Sequence, residues 1–383
     1  MKKTLAAVAV LGAFAGSALA ADVTLYGRVN LGLNYTNVEK TALDGTKTEA
    51  DKWGLNSGDA TGSRFGIKGS EQISEGLTVG FQLEQGFSAD TGAESDSTKA
   101  FSREARLYVA TDYGTLHMGR FGALDAATGS LDYTGWMSAS GTGYGDIIAD
   151  HGRVLKTYSR LDNSIAYTSP KFAGMTVAAM VSLGNDYEKF AEDKWTDAAG
   201  NEFVVPSKEA IASGNESSSD VDRYYGLGVK GQWGALGAGL VVSQVDKGHE
   251  QSATAKDDAL NVTAGVNYDF GVAKVFLAAN YLDNGVAKIY DQVRDYSQYG
   301  VSLSVAAPIA SGTLEAAAGY SVGKDDMIKV GDDEVKILNV GAMYKYPLSK
   351  RTYVYAGAGY DQEEKFGVDT DTIEVISGIA HHF

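Results

Sequence analysis

A strict alternation of apolar and polar residues, over segments of about ten residues, most constrains the fold of this chain. In the segment VTLYGRVNLGLNY, residues 23–35, apolar side chains alternate with Thr, Arg and Asn. The segments 260–270 and 338–346 show the same period of two. A helix would place apolar residues three and four positions apart, so these segments are predicted to be strands with one apolar face. A tilted strand of roughly 9–11 residues is long enough to cross a bilayer.

The connections between the predicted strands alternate between short turns and long, polar, acidic loops. The long segments are residues 38–60, 88–99, 122–154, 186–220, 246–258, 283–293, 324–334 and 361–371. Seven short turns and eight long loops join sixteen strands. Short turns at one end and long loops at the other are typical of outer-membrane barrels. The sequence therefore predicts an all-β fold, a sixteen-stranded antiparallel transmembrane β-barrel.

Composition agrees with such a barrel. The 383 residues include no cysteine, so a large exported domain must be held together by backbone pairing and packing. A soluble sandwich is the alternative fold, but sixteen long strands would make it unusually large. The net charge of −16 argues against nucleic acid as a partner.

The chain begins with MKKTLAAVAVLGAFAGSALA, which has the three parts of a secretory signal peptide. Lys2 and Lys3 precede a short apolar stretch, and the segment ends in the small-residue pattern Ala-Leu-Ala. We therefore expect residues 1–20 to be a cleaved signal peptide. Residues 21–383 are expected to form one exported barrel domain.

The segment RFGIK, residues 64–68, shows how the two faces of a strand are used. Phe65 and Ile67 share one face, whereas Arg64 and Lys68 share the other. In a transmembrane barrel, the apolar pair faces lipid and the two cations face the interior. A barrel of sixteen strands is too wide for side chains to fill, so it leaves an aqueous channel.

Several longer segments together resemble the general, non-specific porins of Gram-negative outer membranes, of the beta-proteobacterial type. They are VTLYGRVNLGLNY (23–35), GSRFGIKGSEQISEGLTVGFQLEQGF (62–87), FSREARLYVATDYGTLHMGRFG (101–122), DNSIAYTSPKFAGMTVAAMV (162–181), YKYPLSKRTYVYAGAGY (344–360) and GIAHHF (378–383). The resemblance implies a homotrimer of barrels, embedded among outer-membrane lipid and lipopolysaccharide. It also implies a third loop folded into each barrel, no cofactor, and passive diffusion of small hydrophilic solutes and ions.

The resemblance further implies a constriction between acidic groups on the third loop and a basic cluster on the wall. The third loop would be residues 121–154, with the acidic residues Asp125, Asp132, Asp146 and Asp150. The expected basic residues are Arg28, Arg64, Lys68, Arg103, Arg106, Arg153, Lys156 and Arg160. Arg103 matches the family by motif, but strict alternation selects Arg106 instead, and a bulge would reconcile the two. Alternatively, all these charges are merely hydrated and form no organised constriction.

Other functions have weaker support. The sequence has no G-x-S-x-G, H-E-x-x-H or P-loop motif, which disfavours a barrel enzyme. A substrate-selective channel, for sugars or an anion, would show a ladder of aromatic residues or lysines, and neither is clear. The acidic loops could share divalent cations with lipopolysaccharide, but solubility alone also explains them. The C-terminal Phe383 resembles the signal that the outer-membrane assembly machinery reads.

Overall fold

A computed structural model describes residues 23–156, 158–184, 188–196, 202–210, 222–246, 258–289, 292–324, 334–365 and 367–383. The predicted signal peptide, residues 1–20, lies outside this part of the chain.

The described residues are almost entirely β-structure. The strands are β1 (Thr24–Thr41), β2 (Lys47–Ser57), β3 (Arg64–Ser74), β4 (Leu77–Gly86), β5 (Glu104–Thr111), β6 (Gly114–Gly122), β7 (Arg160–Thr168), β8 (Met175–Ser182), β9 (Glu188–Thr196), β10 (Glu202–Ala210), β11 (Arg223–Trp233), β12 (Leu236–Asp246), β13 (Ala259–Asp269), β14 (Lys274–Ile289), β15 (Gln292–Ile309), β16 (Gly312–Lys324), β17 (Glu334–Pro347), β18 (Thr352–Lys365) and β19 (Val368–His382). A 3₁₀ turn (Gly135–Met137) and the short helix α1 (His151–Val154) lie between β6 and β7. In the described part of the chain, no helix is both long and apolar enough to cross a membrane.

The strands close into one antiparallel barrel. From β3 to β8 and from β11 to β19, each strand pairs with its neighbour along the chain, β8 pairs with β11, and β19 returns to β1. Strand β1 pairs with β2 along its second half and with β3 along its first five residues. Because β2 and β3 share one position in the wall, the barrel has sixteen strand positions, which confirms the predicted fold. Strands β9 and β10 form a separate hairpin.

The register separates the lipid face from the lumenal face as the alternation predicts. Residues paired across two antiparallel strands lie on the same face of the sheet. Phe65 pairs with Gly27 and Ile67 with Leu25, which is 55% exposed on the outer surface. Arg64 pairs with Arg28 on the opposite, lumenal face. All backbone groups of such a closed ladder pair between strands, which the bilayer requires.

Several predicted long loops are largely strand. Strand β1 runs to Thr41 and β2 begins at Lys47, so most of residues 38–60 forms a hairpin. Residues 283–293 and 361–371 likewise lie mostly in β14, β15, β18 and β19. These outer parts of the strands carry polar residues on both faces, as in KTEAD at the start of β2. Hydrophobic alternation marks a strand only where one face is apolar, so it does not reveal these extensions.

The buried core lies between the wall and the described residues of the segment that joins β6 to β7, 123–156 and 158–159, here called the inner loop. Its residues belong to all three apolar clusters of the described chain. Leu124 packs in the cluster of Met180 and Tyr224, and Ile148 in that of Met343 and Ile376. These wall residues lie on the lumenal face, so the inner loop runs inside the barrel.

Candidate functional site

The tip of the inner loop is attached to the wall by one buried carboxylate. Glu374 on β19 is fully buried and accepts hydrogen bonds from the backbone N–H groups of Asp146 (2.9 Å) and Ile147 (2.9 Å). The side-chain amide of Asn34 on β1 donates a third, at 2.6 Å. Gly145 has a φ of +54°, and a Cβ atom there would collide with this carboxylate. The fit of Gly145 against Glu374 therefore fixes the loop tip at the point where the barrel closes.

The base of the inner loop is attached by Asp125. Its carboxylate accepts hydrogen bonds from Tyr224 (3.0 Å), Ser243 (2.6 Å) and Asn261 (2.9 Å) on β11, β12 and β13. Asp125 is 1% exposed, and burial raises the pKa of its carboxyl group. The structure thus differs from the sequence-based expectation, because Asp125 holds the loop to the wall instead of facing the pore.

The other three acidic residues of the loop differ in exposure. The carboxylate of Asp132 accepts from the N–H groups of Thr134 and Gly135 and so shapes the 3₁₀ turn. Asp150 caps α1, since it accepts from the N–H of Gly152 at 2.8 Å, and burial raises its pKa to about 6. Asp146 alone among the four is exposed, so its carboxylate faces the water of the lumen.

Four arginines come together on the wall and are called the arginine cluster: Arg28, Arg64, Arg103 and Arg160. Arg28, Arg103 and Arg160 are close enough to Arg64 to interact with it electrostatically. Arg28 donates to the hydroxyl of Thr61 at 2.7 Å, and Arg64 donates to the carbonyl of Gly62 at 3.0 Å. The cluster therefore surrounds the short segment between β2 and β3.

Arg103 and Arg106 both reach the lumen. Glu104 pairs with Glu84 in the ladder, yet the backbone N–H of Arg103 also donates to the Glu84 carbonyl, at 3.1 Å. Two residues thus oppose one, which is the arrangement of a β-bulge. Arg103 forms a 2.7 Å ion pair with the Glu84 carboxylate. Arg106, one step lower in the barrel, donates to Gln82 at 3.0 Å.

Lys68, Arg153 and Lys156 lie apart from the arginine cluster. Lys68 lies below it on β3, over the ring of Tyr26. Arg153 belongs to α1 and binds Asp361 on β18 through two nitrogens, at 2.9 and 2.7 Å. Lys156 follows α1, and burial lowers the pKa of its ammonium group. Arg153 and Lys156 are therefore on the inner loop, beside β18 and beside β13 and β14 respectively, and not beside β3.

Several residues that complete the site were not predicted from the sequence. Asp59, in the segment between β2 and β3, lies near Asp146 and Glu374, and its carbonyl accepts from the N–H of Gly145 at 2.8 Å. Glu84 partners two arginines, since Arg64 lies 3.6 Å away. Alternation along β4 and β19 could have placed Glu84 and Glu374 on the lumenal face. Asp59 lies outside any strand, where alternation does not predict the direction of a side chain.

The inner loop and the wall bring positive and negative groups together at one level of the barrel. At this level the segment 58–63 contacts positive and negative groups together, because Thr61 and Gly62 bind arginines while Asp59 lies beside Asp146. Charged groups at a narrow point orient permeating solutes and set their selectivity.

Comparisons with known proteins identify the family. The model of the Gram-negative porin family matches residues 6–365. An outer membrane porin protein of Bordetella pertussis is 28% identical over the whole length of both chains. Outer membrane porin protein 32 of Delftia acidovorans is 27% identical over 94% of this chain and 89% of its own.

Solved structures give the same fold. The anion-selective porin from Comamonas acidovorans superposes with a TM-score of 0.62 at 22% identity, covering 95% of this chain and 100% of its own. OmpT of Vibrio cholerae gives a TM-score of 0.59 at 14% identity, covering 96% and 99%. The family consists of channels and not enzymes, so the alternative of a barrel enzyme is excluded. The chain belongs to the Gram-negative porin family and is an outer-membrane channel for the diffusion of small solutes.

Proposed function

We propose that this protein is a general diffusion porin whose constriction prefers anions, assembled as a homotrimer after cleavage of residues 1–20. The arginine cluster carries the proposal. Four guanidinium groups lie together, and within the described residues Glu84 is the carboxylate that pairs with two of them, 3.6 Å from Arg64 and 2.7 Å from Arg103. The wall at this level thus keeps a positive excess.

The negative side of the constriction is weaker than the sequence predicts. Of the four acidic residues expected on the inner loop, Asp125 is buried, and Asp132 and Asp150 are turned to backbone N–H groups. Asp146 remains exposed. A transverse field therefore runs from the arginine cluster towards Asp146. Asp59 and Glu374 beside it are buried, so the exposed negative side is smaller than the positive one.

The relatives support both parts of the proposal. A structural relative is described as an anion-selective porin, and a trimer form is described for OmpT of Vibrio cholerae. A homotrimer surrounded by outer-membrane lipid and lipopolysaccharide also suits the apolar outer surface, where Leu227 is 63% exposed and Leu303 is 53% exposed. Extraction in mild detergent and mass measurement by light scattering would test the trimer, and a monomeric mass would contradict it.

Reversal potentials of Arg64→Ala in planar bilayers test the anion preference. The wild type should favour chloride over potassium, and the variant should favour it less. One unit charge at about 6 Å in a water-filled passage contributes about 0.7 kcal/mol, so the permeability ratio should fall by about threefold. Conductance should rise because the passage widens, and the change in selectivity should shrink in 1 M salt, where the Debye length is about 3 Å.

Arg64→Lys is the matched control, since it keeps the positive charge and replaces the planar guanidinium with an ammonium group. It should retain the selectivity of the wild type. A wild type that prefers potassium, or an Arg64→Ala channel with the reversal potential of the wild type in low salt, would contradict the proposed constriction.

A further inference from the structure

Below the arginine cluster, towards the short turns, the wall contains a second group of cations around a cavity of about 500 Å³. Lys68 and Arg106 line it, together with Gln82, Tyr108 and His117. Lys68 lies four residues from Arg64 along β3, which corresponds to about 13 Å in a strand. The cavity is therefore separate from the arginine cluster along the pore axis.

Each of the two cations is placed over an aromatic ring. The Lys68 ammonium nitrogen lies 5.2 Å from the centroid of Tyr26, and the Arg106 guanidinium carbon lies 5.2 Å from that of Tyr108. Gln82 joins the two halves, because its amide donates to the Tyr26 hydroxyl at 2.8 Å and its carbonyl accepts from Arg106 at 3.0 Å. Within the lining, both cations are thus held by neighbours that carry no negative charge.

A further contact fixes the orientation of Arg106. One of its nitrogens lies 2.9 Å from Nδ1 of His117. Because a guanidinium only donates, Nδ1 of His117 accepts, and the remaining ring N–H points to the Thr168 hydroxyl at 3.1 Å. His117 thereby holds Arg106 without neutralising it.

The cavity lining contains no carboxylate, and the nearest carboxylates bind mainly to groups outside the lining. Glu84 binds Arg103 and accepts from the Tyr26 hydroxyl at 3.0 Å. Glu104 lies 3.5 Å from Arg106, but both of its oxygens accept from Ser130 of the inner loop, at 2.6 Å each. Hydroxyl donors complete the lining: Thr24, Ser70 and Thr115.

From this geometry we propose that the cavity is a binding site for a small oxyanion of the phosphate class, below the constriction. An ammonium, a guanidinium and three hydroxyls supply donors from several directions, and charge-assisted hydrogen bonds to oxyanions are stronger than neutral ones. The site rests on the proposed function, since the anion reaches it through the channel. It deepens that function, because the channel would retain oxyanions beyond the anion preference set by the arginine cluster.

Titration of single channels with inorganic phosphate tests the site. With a fixed chloride concentration at pH 7, added phosphate should reduce the chloride current of the wild type along a saturable curve. Lys68→Gln removes one exposed cation and should raise the half-blocking phosphate concentration by about fivefold. Arg106→Gln should raise it as well.

Lys274→Gln is the matched control. Lys274 also lies on the lumenal face at the short-turn end, 5.2 Å from the ring of Phe276, but outside the cavity. Its half-blocking concentration should equal that of the wild type. A linear, non-saturating response of the wild type would overturn the site, as would an equal loss in Lys68→Gln and Lys274→Gln. In either case, chloride steps without phosphate would show that the channel function itself holds, whereas their absence would refute the proposed function.

Discussion

At the scale of single residues, side chains of the same type have different contacts and exposure, depending on the backbone segment that carries them. Asp125 and Asp146 lie on the same loop. The Asp125 carboxylate is buried and accepts hydrogen bonds from three side chains, whereas Asp146 is exposed. Alternation predicts correctly that Arg64 and Lys68 face the lumen, because they lie on a strand with a period of two. Alternation cannot predict that Asp125 is buried and Asp146 exposed, because an irregular loop has no regular period. The direction of a loop side chain is set by which wall residues it contacts.

Asp59 provides a prediction at this scale. Burial raises the pKa of its carboxyl group to about 6, and Glu374 and Asp146 nearby add to the effect, while amides of Asn56 and Asn34 oppose it. Between about pH 4 and pH 6, the folded protein therefore holds a proton that the unfolded chain has released. Stability from this group is present at low pH and is lost as the pH rises through about 6.

Asp59→Asn imitates the protonated form. It should raise the apparent melting temperature in detergent above pH 6, by an amount corresponding to about 1 kcal/mol after screening by solvent, and change nothing at pH 4. Asp146→Asn, an exposed carboxylate of the same region, is the comparison and should show a smaller effect. A stabilisation by Asp59→Asn that is equal at pH 4 and pH 8 would contradict the assigned ionisation.

At the scale of elements, the strands were predictable where lipid lies on one side and water on the other. The alternation then has a physical cause in each residue's surroundings. Beyond the membrane, both faces of a hairpin contact water. The alternation of apolar and polar residues therefore does not predict the extension of β1 and β2 past the apolar region. The bulge at Arg103 could be predicted only as one alternative, because it depends on the contact between Glu104 and the backbone of the inner loop.

The attachment of the inner loop gives a prediction for one element. Glu374→Ala removes the acceptor for Asp146 N–H, Ile147 N–H and the Asn34 amide. Each buried donor left without a partner costs about 1–3 kcal/mol unless water reaches it. The loop tip should therefore loosen, and single-channel recordings should show a noisier current and a larger mean conductance. The barrel itself should melt at nearly the same temperature, since its ladder is intact.

Glu374→Gln is the control, because it keeps an oxygen acceptor of the same size and removes the charge. Its current should be quieter than that of Glu374→Ala. Equal noise in the two variants would show that charge, and not the hydrogen bonds to the loop tip, sets the loop position.

At the scale of the whole molecule, a barrel has no free edge only if its last strand meets its first. The final residue takes part in this closure: the N–H of Phe383 donates to the Gly27 carbonyl and the N–H of Gly27 donates to the Phe383 carbonyl, both at 3.0 Å. The ring lies against Gly27, where a Cβ atom would meet it, and is 45% exposed on the outer face. The two hydrogen bonds depend on the register between β1 and β19, which alternation alone does not determine.

Closure and the predicted assembly signal make different predictions for Phe383. Deleting the residue removes two hydrogen bonds, worth about 1 kcal/mol each, from a ladder of sixteen strands. If Phe383 only closes the barrel, its deletion should lower the melting temperature slightly and leave the amount of folded protein in the outer membrane unchanged. If Phe383 is the assembly signal, the amount should fall severalfold in the deletion.

Phe383→Ala keeps the backbone hydrogen bonds and removes the ring. Under the signal hypothesis, this variant should therefore accumulate as poorly as the deletion, whereas Phe383→Tyr should accumulate normally. We expect this second pattern, measured as the heat-modifiable band in outer-membrane fractions. Wild-type accumulation of Phe383→Ala would leave closure of the ladder as the role of the residue.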